Sequence, residues 1–179
     1  MPHSTSADHP AARFLADPEP SCAALATALA GCATPAEAAW RLAETAGDLL
    51  ELSDCVVYLR SPTQSSLVQV AAWGLKQVAP GVFENPIRLP IGLGIVGACA
   101  RDRVPILIAD TALDYRYVAD VGDHRSELAV PLMHDGRLIG VLDSEHPERD
   151  FYTSLHIRVV LRLAQEFAAS AVITALGEH

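Results

Sequence analysis

The chain has 179 residues, half of them apolar, which is enough for one hydrophobic core and favours a single domain. Its 13 basic and 22 acidic side chains give a net charge of −9, with no basic stripe, which argues against direct nucleic-acid binding. Apolar stretches are interrupted before the roughly 20 residues of a membrane span, and the N-terminus lacks the pattern of a secretory signal. We therefore expect a soluble, cytoplasmic protein with no membrane partner.

The four cysteines are Cys22, Cys32, Cys55 and Cys99, and none of them forms a CxxC or CxxH motif. Such spacing is typical of buried thiols in a reducing compartment and does not indicate a metal site.

The N-terminal third of the sequence predicts a tail followed by two helices. Residues 1–20 are rich in proline without periodicity, so we expect a flexible tail and one domain over residues 21–179. A short helix over residues 22–30 ends before a glycine. Thr34, Pro35 and Glu37 form the signature of a capping box that begins a second helix, which extends to about residue 52.

The remainder of the sequence predicts six strands, a short helix and a long C-terminal helix. The β-branched and aromatic content predicts strands over residues 54–60, 67–73, 87–89, 104–109, 126–133 and 137–145. Helices are predicted over residues 95–101 and 153–176, and an irregular helix and loop over residues 110–122. Because no βαβ rhythm is present, the pattern favours an α+β fold with an antiparallel sheet and helices packed on one face.

Four sequence blocks in order resemble the signature blocks of GAF domains. They are LPIGLGIVG at residues 89–97, VPI at residues 104–106 with Asp110, SELAVPL at residues 126–132 and GRLIGVLD at residues 136–143. The resemblance covers about residues 34–176. It implies a central antiparallel sheet with the N- and C-terminal helices on one face and a ligand pocket on the other.

The family includes small-molecule sensors and free methionine sulfoxide reductases, so the fold does not determine the function. The reductases carry two cysteines, at the positions that Val96 and Asp120 hold here. Cys99 lies one helical turn beyond Val96 and has no obvious cysteine partner downstream. We therefore expect no enzymatic activity, with a diverged reductase that uses Cys99 as the alternative.

No bound cofactor is expected either. A cysteine–histidine pair for bilin attachment is missing after Asp110. His124 lies near the expected pocket wall, but a lone histidine is more often a surface or hydrogen-bonding residue than a haem ligand.

Glu127 and Asp143 lie in otherwise apolar strands, where burial of an unpaired carboxylate is costly. Either both point to solvent at a strand end, or they line a pocket that recognises an amine, an amide or an ordered water. A three-residue hairpin loop would pair Leu128 with Leu142 and place both acids on the pocket face, with Leu138 on the helix face. A two-residue loop would place the two acids on opposite faces. Because hydrophobic patterning usually fixes the register, we predict the three-residue loop.

The other pocket candidates follow from the strand pattern and from the resemblance. Tyr58 either stacks on a ligand or fills the core, and Tyr117 lies in the connection that covers the pocket in this family. The start of the helix at Ile95 offers backbone N–H groups to a ligand. The complete predicted ligand-binding set is Tyr58, Ile95, Val96, Asp110, Tyr117, Ser126, Glu127 and Asp143.

The C-terminal helix predicts a homodimer through the terminal helices. Small and apolar residues recur at spacings of three and four and form a narrow seam: Ile157, Leu161, Ala164, Ala168, Ala171 and Ala175. Alternatively, one broad apolar stripe belongs entirely to the core. We expect a ligand-sensing regulatory domain that acts on an output module or partner through these helices, with a ligand-free dimerisation module as a further alternative.

Overall fold

The computed structural model describes residues 13–14, 16–74, 86–118 and 122–175. The helices are α1 Glu19–Ala30, α2 Pro35–Leu50, α3 Gly94–Asp102, α4 Ser154–Ala169 and α5 Ala171–Thr174, with a 3-10 turn at Thr111–Leu113. The strands are β1 Asp54–Arg60, β2 Ser66–Gly74, β3 Arg88–Pro90, β4 Ile106–Ile108, β5 Ser126–His134 and β6 Arg137–His146.

The six strands form one antiparallel sheet in the order β3-β2-β1-β6-β5-β4. Helices α1, α2, α4 and α5 cover one face, and α3 covers the other. Two apolar cores result: a helix-side core under α1, α2, α4 and α5, and a cavity-side core under α3. The predicted α+β architecture is confirmed.

The start of α2 follows directly from its local sequence. The N–H of Glu37 donates to Oγ1 of Thr34 at 3.2 Å, and the N–H of Thr34 donates back to the Glu37 carboxylate at 3.3 Å. This capping box satisfies two backbone donors that the first helical turn cannot satisfy internally.

The predicted tail falls mostly on residues 1–12, which lie outside the described residues. Phe14 is buried in the helix-side core, and α1 begins at Glu19. The core therefore draws on residues that precede position 21.

The β5–β6 hairpin has a different register from the predicted one. Asp135 and Gly136 have φ angles of 46° and 73° and form a two-residue turn, so the predicted three-residue loop is wrong. A β-bulge then places one extra residue, Ile139, in β6. Beyond the bulge, Leu128 lies opposite Ser144 instead of Leu142.

The bulge restores the face assignment that the turn alone would reverse. Because side chains alternate along a strand, one extra residue returns Glu127 and Asp143 to the same face, opposite Leu128 and Leu142. Leu138 precedes the bulge and packs in the cavity-side core, so its predicted place on the helix face is wrong.

The predicted single C-terminal helix is interrupted at Ser170. This residue is extended, with φ −68° and ψ 143°, and its Oγ donates to the carbonyl oxygen of Phe167 at 2.7 Å. Serine competes in this way with the helical hydrogen-bond pattern. The break separates α5 from α4 and places Ile173 in the helix-side core.

The predicted dimer seam is not continuous. Ala164 and Ala168 are only 5% and 3% exposed and belong to the interior of this chain, together with Val160, Leu163 and Phe167. The exposed members of the seam are Leu161, Ala171 and Ala175. The broad apolar stripe of α4 is therefore largely core.

We predict that Gly140→Ala destabilises the protein by about 1–3 kcal/mol. Gly140 lies where β6 passes β1, and a Cβ at this position would overlap the backbone carbonyl oxygen of Tyr58. Gly31→Ala is the matched control, because its Cβ would come no closer than 3.6 Å to another atom. The measurement is urea denaturation of both variants, and equal midpoints would contradict the tight β1–β6 contact.

Candidate functional site

A cavity of about 300 Å³ lies between the sheet and α3. The sheet contributes its floor, formed by Tyr58 of β1, Glu127 of β5, and Asp143 and Glu145 of β6. The roof and rim come from β3, the start of α3 and the connections beside them: Ile87, Arg88, Leu89, Pro90, Leu93, Gly94, Ile95, Val96 and Val118.

Three carboxylates are concentrated on the floor. Glu127 pairs with Glu145 across β5 and β6, and Asp143 is the preceding residue of β6 on the same face. The three residues are only 4–5% exposed. Three carboxylates this close together make the floor acidic, which suits a ligand or counter-ion that carries positive charge.

The roof is mainly apolar and partly open to solvent. Ile95 and Val96 are buried, whereas Leu93 and Val118 are 64% and 73% exposed. Arg88 is an exposed cation at the rim. A ligand would meet an acidic floor below and aliphatic side chains above.

Five of the eight predicted ligand-binding residues line this cavity: Tyr58, Ile95, Val96, Glu127 and Asp143. The other three do not line it. Tyr117 is half-buried and packs against the cavity-side core, and Ser126 Oγ donates to the carbonyl oxygen of Glu148 at 2.7 Å.

Asp110 anchors the loops at the end of the sheet. Its carboxylate accepts a hydrogen bond from Nη2 of Arg125 at 2.8 Å and lies 3.2 Å from Nε of Arg149. Its Oδ1 also accepts the N–H of Ala112 at 3.2 Å. The hydrogen bond from Arg125 is the main cause of the lowered pKa of Asp110. Asp110 therefore holds these loops together and does not line the cavity.

Glu145 lines the cavity but is absent from the predicted ligand-binding set. Strand alternation could have found it, because it is the next residue after Asp143 on the same face of β6. The burial of His124 was also missed; its ring lies beside Glu145, with Nδ1 3.3 Å from Oε2.

Cys99 is fully buried in the cavity-side core and does not line the cavity. Burial raises the pKa of its thiol, and the negative charges of Asp143 and Glu127 raise it further. A thiol in this setting is a poor source of the reactive thiolate. Asp120, which the motif resemblance predicts at the second cysteine position of the reductases, lies outside the described residues.

Residues 32–170 match the GAF domain family, and the chain belongs to this family. No curated protein matches the chain significantly.

Similar solved structures include GAF domains of phosphotransferases and a free methionine-R-sulfoxide reductase. The GAF domain of an Acinetobacter phosphoenolpyruvate-protein phosphotransferase is 15% identical, with a TM-score of 0.75, over 90% of this chain and 95% of that one. The corresponding domain from Coxiella burnetii is 19% identical, with a TM-score of 0.67 and coverages of 88% and 95%. The free methionine-R-sulfoxide reductase of Neisseria meningitidis, in complex with its substrate, is 20% identical, with a TM-score of 0.75 and coverages of 98% and 96%. At these identities the likeness establishes the fold.

None of the helices within the described ranges has the length and apolar composition needed to span a bilayer.

Proposed function

We propose that this GAF domain is a non-catalytic sensor that binds a small ligand with an ammonium group in the cavity under α3. The observation that carries the proposal is the cluster of three buried carboxylates, Glu127, Asp143 and Glu145, on the cavity floor.

The cavity chemistry supports a short amine or amino acid. About 300 Å³ is at the lower end of the range for small-molecule pockets. An ammonium group has three donors, and hydrogen bonds between such donors and carboxylates are strengthened by their charges. The ring of Tyr58 can add a cation–π contact, and the aliphatic roof can cover an apolar substituent. The substrate-bound reductase from Neisseria meningitidis has a similar fold and acts on a free amino-acid derivative.

The sheet connects the cavity to the helices that would transmit the signal. Glu127 and Asp143 alternate along their strands with Leu128 and Leu142, which pack in the helix-side core. A ligand that relieves repulsion between the acids changes the preferred spacing of β5 and β6. Because packed interfaces respond to such shifts in discrete steps, the terminal helices can pass the change to an output module or a partner.

We expect short amines or free amino acids to stabilise the protein, and the matched alcohols or N-acetyl derivatives to have no effect. At a hundredfold excess over Kd, the thermal midpoint should rise by about 5–10 °C. Asp143→Asn and Glu127→Gln should each weaken binding about tenfold or more, because each removes one charge from the floor.

Glu44→Gln is the matched control, because Glu44 is an exposed carboxylate of α2 paired with Arg41. Equal binding of amines and alcohols, or unchanged affinity in both floor variants, would contradict the proposed ligand class.

A non-catalytic role further predicts that free methionine sulfoxide and a dithiol give only background reduction. Cys99 is buried outside the cavity, and Val96 stands where the reductases carry a cysteine. Methionine formation is measured by chromatography for the wild-type protein and for Cys99→Ser. Turnover in the wild type that is abolished in Cys99→Ser would favour the reductase alternative.

We also propose a homodimer that uses the exposed surfaces of the terminal helices, including Leu161 and Ala171. Ala171→Glu should shift the mass measured by light scattering towards the monomer, because it places a charge on this surface. Gln64→Glu adds the same charge to the exposed β1–β2 loop and is the control. Ala168→Glu is unsuitable, since it would place a charge in the protomer core. A monomeric wild type at high micromolar concentration would contradict the dimer.

A further inference from the structure

A second buried cluster lies beside the cavity, at the end of the sheet where β1 begins and β6 ends. It consists of Asp54 at the start of β1, Glu145 of β6 and His124 in the connection that precedes β5. The three residues are between 1% and 4% exposed. One potential ligand atom from each lies within 4.8 Å of the other two.

The imidazole of His124 is the unusual member of this cluster. Its side chain is only 2% exposed, and neither ring nitrogen makes a hydrogen bond with the described residues. Nδ1 approaches Oε2 of Glu145 at 3.3 Å. A buried polar nitrogen without a hydrogen bond is destabilising, so the ring is poorly accounted for as a structural residue alone.

Surrounding hydrogen bonds hold the two carboxylate residues in place. Oδ1 of Asp54 accepts the backbone N–H of Glu145 at 2.8 Å. The hydroxyl of Ser53 donates to the Glu145 carbonyl oxygen at 2.8 Å, and the hydroxyl of Ser144 donates to the carbonyl oxygen of Asp54. Hydrogen bonds at Asp54 and at Glu145 thus connect the start of β1 to the end of β6.

The backbone of His124 is fixed from the other side. Thr111 Oγ1 donates to its carbonyl oxygen at 2.7 Å. The imidazole also lies against Gly122, where an added Cβ would be 2.8 Å from Cε1 of the ring. These contacts fix the backbone of His124 and limit the space that is available to its ring.

We propose that Asp54, His124 and Glu145 form a binding site for a divalent first-row transition metal ion. One imidazole nitrogen and two carboxylate oxygens are suitable donors for Zn²⁺ and for neighbouring ions such as Mn²⁺. When each metal–donor bond is about 2.0–2.2 Å long, two donor atoms on the same ion lie about 3–4 Å from each other. The observed spacing, within 4.8 Å, needs only small side-chain adjustments to reach that range.

The charges of the cluster also suit a divalent ion. A dication matches the two carboxylates in charge while it coordinates the imidazole nitrogen. A protonated His124 paired with the two acids is the competing arrangement, and it predicts no metal uptake. Since Glu145 also lines the cavity, a bound ion would reduce the negative charge of the cavity floor.

The test is calorimetric titration of the chelator-treated full chain with Zn²⁺, in the absence of any amine. We expect one ion per chain and a rise in thermal midpoint of about 5–10 °C at a hundredfold excess over Kd. His124→Ala and Glu145→Gln should each weaken binding at least about tenfold. His134→Ala should bind as the wild type does, because this control removes an imidazole that lies 3.5 Å from Asp135 on the hairpin surface.

Two results would overturn the proposal. The first is a wild-type chain that takes up no stoichiometric Zn²⁺, and the second is binding that persists unchanged in both His124→Ala and Glu145→Gln. If either variant fails to fold, the visible spectrum of the Co²⁺-loaded wild type decides between sites. Intense thiolate-to-cobalt bands would place the ion at cysteines and contradict the assignment, whereas their absence would support nitrogen and oxygen donors. Because no amine is present, failure here leaves the proposed sensing function to be judged by its own test.

Discussion

The pairing of β5 with β6 is the constraint on which both faces of the sheet depend. A two-residue turn at Asp135 and Gly136 begins the hairpin, and one extra residue at Ile139 then shifts the register. Without that bulge, the leucines and the acids of β6 would exchange faces. The helix-side core would receive Asp143, and the cavity floor would lose two of its three carboxylates.

Because the two strands are shared, the cavity and the terminal helices are physically connected. Leu128, Val130 and Leu142 pack against the helices, and the acids alternate with them on the opposite face. A change in strand spacing therefore alters both sides at once. Close packing of the core limits such changes to a few alternative arrangements, which is the property that the proposed sensing function needs.

The acidic residues at this end of the molecule have different roles. Asp110 forms ion pairs with Arg125 and Arg149, which hold the loops against the sheet. Glu127 and Asp143 face the cavity, where a ligand can reach them. Glu145 lies between the cavity and His124, so the charge state of one cluster influences the other. Ligand recognition and metal binding, as proposed, would be electrostatically coupled through this residue.

The local sequence determined those elements whose formation depends on residues close together in the chain. The capping box at Thr34, the six strands and the antiparallel fold class could all be predicted, because side-chain alternation and helix capping depend on neighbours in the chain. Glu127 and Asp143 lie on one face as predicted, but the bulge at Ile139 places them there and not the three-residue loop on which that prediction depended. The tertiary structure alone decided the bulge at Ile139 and the burial of His124 beside Asp54 and Glu145. These features depend on contacts between segments far apart in the sequence, which no local pattern encodes.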